Sequence, residues 1–479
     1  MTEPRPFWLA GVAQRGDRVL DVPDRSRLGD DGSNTATVAL ARPEDTERAL
    51  TAAHAARRAC AHFPRHARRR ALIGVARAIE ARGEELALQI TRESGKPITD
   101  ARGEVVRAVT TFELAAETCD ERAGEYLDLG ARPSADRYTA WTRRVPVGVL
   151  SLITPFNFPL NLVAHKVAPA IASGCPFIVK PSEKTPLSAL SLAEILAEQE
   201  LPEGSWSVLP LEIADSATLI EDPRVALVSF TGSETVGWDI SRRAAGKRVA
   251  LELGGNAACI VHCGADVEDV VERVLVGGYG NSGQSCISVQ RILVHESLAD
   301  ALRERLVARV RDLPTGDPLD PATRVGPLID EAAAARVTAS IEAARDAGAA
   351  VLCGGERDGR LVRPAVVDGV PGGCTLDSEE LFGPAVGLRT YRTLDEAVAL
   401  ADDGRFGLQL GAFGLDLDES LALADAVEVG GLILGDVPTF RADAMPYGGR
   451  RRSGLGREGP RAALLEFTEE QVIVTRRRR

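Results

Sequence analysis

The chain has 479 residues, 69 acidic against 57 basic, for a formal net charge of −12. At about 150 residues per domain this allows two or three domains with large cores, and a composition 44% apolar and 26% charged excludes a disordered chain. An acidic chain suits nucleic acid poorly, no apolar run is long enough for a bilayer, and Met1-Thr2-Glu3-Pro4-Arg5 lacks a signal-peptide layout, so a cytoplasmic enzyme with neither partner is expected.

The first 120 residues read mainly as helix after an irregular start. Leu72, Val75, Ile79, Leu86 and Ile90 recur at helical spacing and predict a helix over 71–90, stopped at Ser94-Gly95-Lys96-Pro97. A second helix is predicted over 104–119. The polar stretch 121–144 alternates as exposed strands do. From Val145 onward short apolar runs alternate with helices: a strand over 147–153, a helix over 159–173, a strand over 177–179, a helix capped by Thr185 with Pro186 at its first position, and strands over 225–230 and 249–251. A second series over 266–436 places strands near Ile292, Val351, Val366, Val386 and Ile433. Such alternation predicts parallel sheets covered by helices on both faces, in two α/β domains that join near Gly254-Gly255.

Eight cysteines lie scattered through apolar surroundings, unlike a secreted disulfide framework, so reduced thiols are expected. Of six histidines, His54, His62 and His66 crowd one segment, which leaves few for a metal or a Cys–His pair. Cysteine chemistry here is expected to use another base. Cys259-Ile260-Val261-His262-Cys263 lacks the second ligand cluster that zinc takes, so a buried strand end and no metal are expected. Gly278-Tyr279-Gly280-Asn281-Ser282-Gly283 fits the GxGxxG expression, yet a helix rather than a strand is predicted before it. Those glycines are expected to shape a tight loop.

Gly283-Gln284-Ser285-Cys286 sets a thiol in a glycine-bearing loop where amides can point at the sulfur, although loop cysteines are also commonly structural. The strand before it in the chain ends at Glu252-Leu253-Gly254-Gly255, on the sheet edge where open α/β folds bind ligands; a helix cap is the alternative for Glu252. Thr154-Pro155-Phe156-Asn157-Phe158-Pro159 follows a strand and opens a helix, so Asn157 offers an amide to an oxyanion or serves as an N-cap. Lys180-Pro181-Ser182-Glu183 supplies charges for ribose hydroxyls or simply a solvated loop. Phe230-Thr231-Gly232-Ser233 makes an amide-rich strand–helix junction that suits phosphate.

In the order TPFNFP, KPSE, FTGS, LELGG, GQSC, EELFGP (379–384) and MPYGGRRRSGLGREG (445–459), the chain resembles the aldehyde dehydrogenase superfamily from about residue 40 onward. The resemblance implies two doubly wound parallel-sheet domains plus a small β oligomerisation arm. Residues 1–125 and 145–253 would bind NAD, 254–440 would form the catalytic domain, and 126–144 with 466–475 the arm of a homodimer or homotetramer. It implies NAD(P)-dependent oxidation of a small-molecule aldehyde to its acid through a cysteine thioester. Cys286 is then the nucleophile, Glu252 the general base and Asn157 the oxyanion donor. Lys180 and Glu183 would hold the adenosine ribose with Ser182 beside them, Phe230, Thr231, Gly232 and Ser233 the pyrophosphate, and Glu380 with Phe382 the nicotinamide ribose. Thr154, Pro155, Phe156 and Leu253 complete the cofactor contacts. Because Glu252 is present, hydrolysis is favoured over transfer to coenzyme A. Its charge at Glu183 favours NAD over NADP, which remains possible.

The substrate end is read from four residues. Arg107 and Arg441 resemble arginines that bind an anion in the branch with lactaldehyde, non-phosphorylating glyceraldehyde-3-phosphate and phosphonoacetaldehyde dehydrogenases. The alternative pairs Arg107 with Glu104 or Glu113 and leaves Arg441 in solvent. Phe158 and Ser285 stand where users of phosphate or phosphonate tend to have histidine and arginine, which favours a small, less charged aldehyde, hydroxylated or carboxylated. His165 faces the tunnel or packs in its helix. A phosphonylated aldehyde is the alternative substrate. A cofactor-independent cysteine esterase or acyltransferase is the alternative of another class, disfavoured by KPSE and EELFGP, and intact Asn157, Glu252 and Cys286 argue against a silent relative.

Overall fold

The computed structural model describes residues 3–29, 34–120 and 124–477. The start of the chain at 1–2, the first residues of the polar stretch at 121–123 and the last two arginines lie outside them.

Two sheets organise the chain. The first has eight strands, and its centre is parallel: Trp206–Val208, Phe177–Lys180, Val149–Ile153, Val225–Thr231 and Arg248–Glu252 lie side by side in that order. Every side chain of Val149–Ile153 and Phe177–Lys180 is buried, as expected of strands covered on both faces. The second has seven strands, ordered Ala350–Cys353, Ala365–Asp368, Ala385–Tyr391, Arg291–His295, Ala258–Val261, Gln409–Phe413 and Gly431–Leu434. All its pairings are parallel except that of Ala350–Cys353 with Ala365–Asp368.

The irregular start contains strands. Phe7–Leu9 pairs antiparallel with Val12–Gln14 and with Trp206–Val208, extending one edge of the first sheet. At the other edge Gly454–Leu455 pairs antiparallel with Leu251 and Glu252. The segment after residue 440 therefore returns to the first sheet rather than continuing the second.

Two helix expectations are corrected. The single helix over 71–90 is two, Arg65–Ala81 and Gly83–Ser94, with Arg82 as the joint at φ −98°, ψ 16°. Glycine at the first position of the second helix weakens continuation, and the break lets both helices lie on the long helix Ile98–Thr118. Thr185 does not cap the next helix, Leu187–Ala197; its hydroxyl donates to the Phe156 carbonyl at 3.3 Å. The cap comes from Glu93, whose carboxylate accepts the amides of Leu187 (2.7 Å) and Ser188 (3.0 Å). A distant carboxylate thus does the work expected of a local hydroxyl.

The segments expected to form the arm make a three-stranded sheet. Thr468–Arg476 runs antiparallel to Tyr138–Pro146 over nine registered pairs, and Tyr126–Leu127 lies on the other side. Val472 and Val474 are each 54% exposed on the outer strand. No helix among the described residues is long and apolar enough to cross a membrane.

Candidate functional site

Four central strands of the first sheet end beside one another, and each end carries a run singled out in the sequence. Val149–Ile153 gives way to Thr154–Phe158, Phe177–Lys180 ends at Lys180, Val225–Thr231 passes through Gly232 and Ser233 into the helix Glu234–Arg243, and Arg248–Glu252 ends at the carboxylate. Bonds between neighbours lock these ends together: Thr154 N to Lys180 O at 3.2 Å and Gly232 N to Glu252 O at 3.0 Å. Buried Lys180 stands 3.8 Å from Glu183 Oε1, an atom with no hydrogen-bond partner, and Thr231 Oγ1 is likewise buried and unpartnered. Ser182 Oγ accepts the Lys184 amide at 3.2 Å. Leu253 is buried against Gly237, where any β-carbon would collide with it, so the helix Glu234–Arg243 lies close on the strand end.

The loop ahead of Ala385–Tyr391 in the second sheet faces this edge with Glu380 and Phe382. Glu380 accepts the Gly255 amide at 3.3 Å, and a side chain at Gly254 would strike its carboxylate. Burial raises the Glu380 pKa to about 7. Phe382 has φ +57°, and its ring meets that of Phe156 edge-on at 5.8 Å, with Pro155 half-buried alongside.

Cys286 follows the helix Val267–Tyr279 and a tight turn through Asn281, Ser282 and Gly283 at φ +49°, +56° and +71°. GxGxxG thus sits behind a helix, as a loop. Gly283 is required there because a β-carbon would enter the Gly383 carbonyl. The turn is held by Asp100, which accepts the Asn281 amide at 2.8 Å, and by Ser282, which bonds Gly326. Asn157 Nδ2 donates to the Gln284 carbonyl at 3.0 Å, and Asn281 Nδ2 donates to the Asn157 carbonyl at 3.1 Å. Asn157 and the cysteine loop are therefore one unit. The Ser285 amide donates to Gly283 O at 2.9 Å within the turn. The half-buried sulfur lies 2.8 Å from the Tyr447 hydroxyl, and burial pushes the thiol up to about 12 against that bond.

Glu252 is 5% exposed, and its Oε2 has no hydrogen-bond partner. Burial, then the charge of Glu458, raises its pKa well above the carboxylate range, while Arg441 and Lys166 pull the other way. Glu458 behaves oppositely. Burial would raise it, but Lys166 (3.5 Å) and Arg441 (2.8 Å) hold it at about 2. Two neighbouring carboxylates are thus driven apart, one raised and one lowered.

At the substrate end the alternative reading, Arg107 paired on its own helix and Arg441 in solvent, needs correcting for both arginines. Arg107 pairs with neither Glu104 nor Glu113 but with Asp443, at 2.7 Å. Glu104 is turned inward to Lys96 and to the amides of Leu160 and Asn161, so it caps the helix Asn161–Ser173. Arg441 is buried, not solvated: it pairs with Glu458, stacks 3.9 Å over the Tyr447 ring and leaves Nε without a partner. His165 packs in its helix, fully buried, with Nε2 2.9 Å from Asp443 Oδ1. Phe158 lies with its ring 3.8 Å from Lys96 Nζ and 5.9 Å from the Arg107 guanidinium. Sequence reasoning missed Tyr447, Glu458, Lys166 and Asp100. The first two stood inside a quoted motif without a role, whereas Lys166 and Asp100 carried no local signal. At the Cys259–Cys263 run, Ala258–Val261 is a buried strand and His262 bonds Tyr391 at 2.9 Å; no group of three or more potential metal ligands occurs among the described residues.

A family model described as "Aldehyde dehydrogenase family" matches residues 24–473. The chain belongs to the aldehyde dehydrogenase family. It is 40% identical to 3-sulfolactaldehyde dehydrogenase of Priestia aryabhattai over 92% of both chains. Among solved structures, aldehyde dehydrogenase 21 of Physcomitrella patens in complex with the reaction product succinate superposes with a TM-score of 0.96 at 41% identity, covering 99% of each chain. Glyceraldehyde-3-phosphate dehydrogenase of Methanocaldococcus jannaschii, complexed with NADP, gives 0.91 at 35% identity over 96% of this chain and all of that one.

As an aldehyde dehydrogenase the chain is an NAD(P)-dependent oxidoreductase of small aldehydes. The strand ends fit that cofactor. Glu183 Oε1 and Thr231 Oγ1 are buried polar atoms that lack partners, and each would accept a hydroxyl donor. Such atoms cost free energy unless a ligand completes them.

Proposed function

We propose that this dehydrogenase oxidises a small aldehyde carrying at most one negative charge or a hydroxyl, using Cys286 as nucleophile, Asn157 as oxyanion donor and Glu252 as base. The sulfur lone pair forms the C–S bond while the carbonyl π pair moves to oxygen, where the Asn157 amide and the Cys286 backbone N–H receive the charge. Bound NAD(P)+ supplies the hydride acceptor that turns the Cys286 adduct into a thioester. Glu252 then takes a proton from water, whose oxygen attacks the thioester and releases the acid. The observation that carries this reading is that Asn157 bonds Gln284 two residues before the sulfur, while the buried Glu252 carboxylate lies close enough for its charge to act on the thiol. We assign residues 1–125 and 145–253 to the cofactor domain and 254–440 to the catalytic domain. Lys180, Ser182, Glu183 and Phe230 to Ser233 hold the adenosine and pyrophosphate end there, Glu380 and Phe382 the nicotinamide ribose. Glu183 favours NAD because its charge opposes a 2′-phosphate.

The charge limit follows from the arginines. Each already has a carboxylate partner, Asp443 or Glu458, so the pair offers little net positive charge to a phosphonate or phosphate. The unpartnered Arg441 Nε and the half-exposed Arg107 suit a single carboxylate, sulfonate or hydroxyl. The relatives named for 3-sulfolactaldehyde and complexed with succinate agree with that class. The outer strand of the arm, with its apolar exposed face, fits pairing with a second copy in a homodimer or homotetramer. Free thiols at all eight cysteines fit a reducing cytoplasm, which cell fractionation checks.

Formation of reduced cofactor with a panel of anionic, hydroxylated and neutral aldehydes tests the reaction. Cys286→Ala is expected to abolish it for every aldehyde. Reduced cofactor still forming in that variant would remove Cys286 as the nucleophile, and ester hydrolysis with no dehydrogenation would revive the esterase reading.

A further inference from the structure

We infer that Tyr447 is a further catalytic residue, whose phenolic O–H donates to the Cys286 sulfur and holds the thiolate both when it attacks and when it departs. The inference rests on Cys286 being the nucleophile. Its observation is the 2.8 Å contact between hydroxyl and sulfur. Among the described residues the hydroxyl makes no other hydrogen bond.

The backbone of Tyr447 is pinned to that of Glu458. Its amide donates to the Glu458 carbonyl at 2.9 Å and its carbonyl accepts the Glu458 amide at 2.6 Å. Ile287 and Leu408 pack around the ring and the sulfur, leaving the tyrosine 3% exposed, so water competes poorly for the thiolate. Burial raises the Tyr447 phenol pKa, so the proton stays on its oxygen, and the Arg441 guanidinium stacked 3.9 Å over the ring works against that rise. Among the described residues no histidine hydrogen-bonds the sulfur to play this part. Burial raises the thiol, and the tyrosine bond acts against that rise.

In the attack, the sulfur pair becomes the C–S bond and the charge leaves sulfur for the carbonyl oxygen. In thioester hydrolysis, the C–S bond breaks with its pair returning to sulfur, and the same O–H meets it. The phenolic proton stays on its oxygen throughout. A donor that strengthens only toward a charged sulfur is worth most at those two moments.

Tyr447→Phe removes one oxygen and keeps the ring. In the full-length enzyme, iodoacetamide labelling of the Cys286 peptide, followed by mass spectrometry across pH, reads the thiolate directly. Loss of one charge-assisted hydrogen bond is expected to move that profile up by about one to two pH units. The turnover number should fall about tenfold with little change in the aldehyde KM. Unchanged thermal unfolding and cofactor binding would show the variant is folded. A superimposable labelling profile would overturn the inference, as would a rise in KM alone. A Cys286→Ala enzyme that still reduces cofactor would instead strike the nucleophile reading beneath it.

Discussion

The carboxylate of Asp100 accepts the backbone amide of Asn281 at 2.8 Å, across 181 residues of chain. Asn281 opens three successive left-handed residues that end three positions before Cys286 and deliver it. Two of the three are not glycine, so the turn needs outside support. Asp100→Ala leaves that amide buried without an acceptor. Turnover is expected to drop about tenfold through misplacement of the sulfur, with cofactor binding preserved. Asp100→Asn, whose side-chain carbonyl still accepts, should recover most of it. Steady-state kinetics with intrinsic cofactor fluorescence checks both.

Glu252 and Glu458 should be separable by pH. Glu252 acts as base only when ionised, so hydrolysis of the thioester rises as pH passes through its elevated pKa. Glu458→Gln removes a neighbouring negative charge and frees Lys166 and Arg441 to stabilise the Glu252 carboxylate. The profile is then expected to shift to lower pH, with activity at acidic pH gaining severalfold relative to that at alkaline pH. The same elevation makes a stability statement. A carboxyl whose folded pKa is raised stabilises the fold below its unfolded value, near 4.5, and loses that contribution as pH rises through the folded pKa. Glu252→Gln should therefore melt higher than the parent at alkaline pH, with a gap that closes on acidification.

Glu183 is proposed to face the cofactor's 2′ position. Glu183→Gln removes the repulsion toward a phosphate there and is expected to improve kcat/KM for NADP about tenfold, with a smaller loss for NAD. An unchanged ratio of the two would remove Glu183 from cofactor choice.

Arg107 is the accessible member of the arginine pair. Arg107→Ala should cost about tenfold in kcat/KM for a carboxylated or sulfonated aldehyde and under about twofold for a neutral one. Equal losses would reassign Arg107 to holding Asp443 alone.

The exposed valines of the arm predict an assembly. Val472→Glu together with Val474→Glu places charge on the outer strand and should shift the protein toward monomers by light scattering, with melting lowered by several degrees. An unaltered mass would exclude this strand from the interface.

The parallel centres of the sheets were legible because their strands are unbroken apolar runs, and the strand ends because each carries its functional group in a short local motif. Gln409–Phe413 was not, although it lies inside the second sheet. Gly407, Gly411 and Gly414 break its apolar run, and Gly411 is glycine because the Asp436 carbonyl and Pro438 press on it. The charge network was illegible for a different reason. Arg107 has Glu104 three positions away, at helical pairing distance, yet its partner lies 336 residues on. Glu104 points the other way because buried Lys96 and two helix amides claim it. Which of two carboxylates an arginine meets is decided by burial, and burial is a property of the packed helices, not of spacing.

The ring of Phe158 rests on the ammonium of Lys96, and Lys96 is itself fully enclosed with Glu104. A histidine introduced at 158 would stack against a fixed cation and be kept neutral, adding no charge for a doubly ionised substrate. Redesigning this pocket for phosphonates would have to begin one layer deeper. Lys96 and Glu104 would need to be exchanged together, since either alone leaves a bare ion in the interior, and loss of Glu104 also strips the cap from the helix that carries His165 and Lys166.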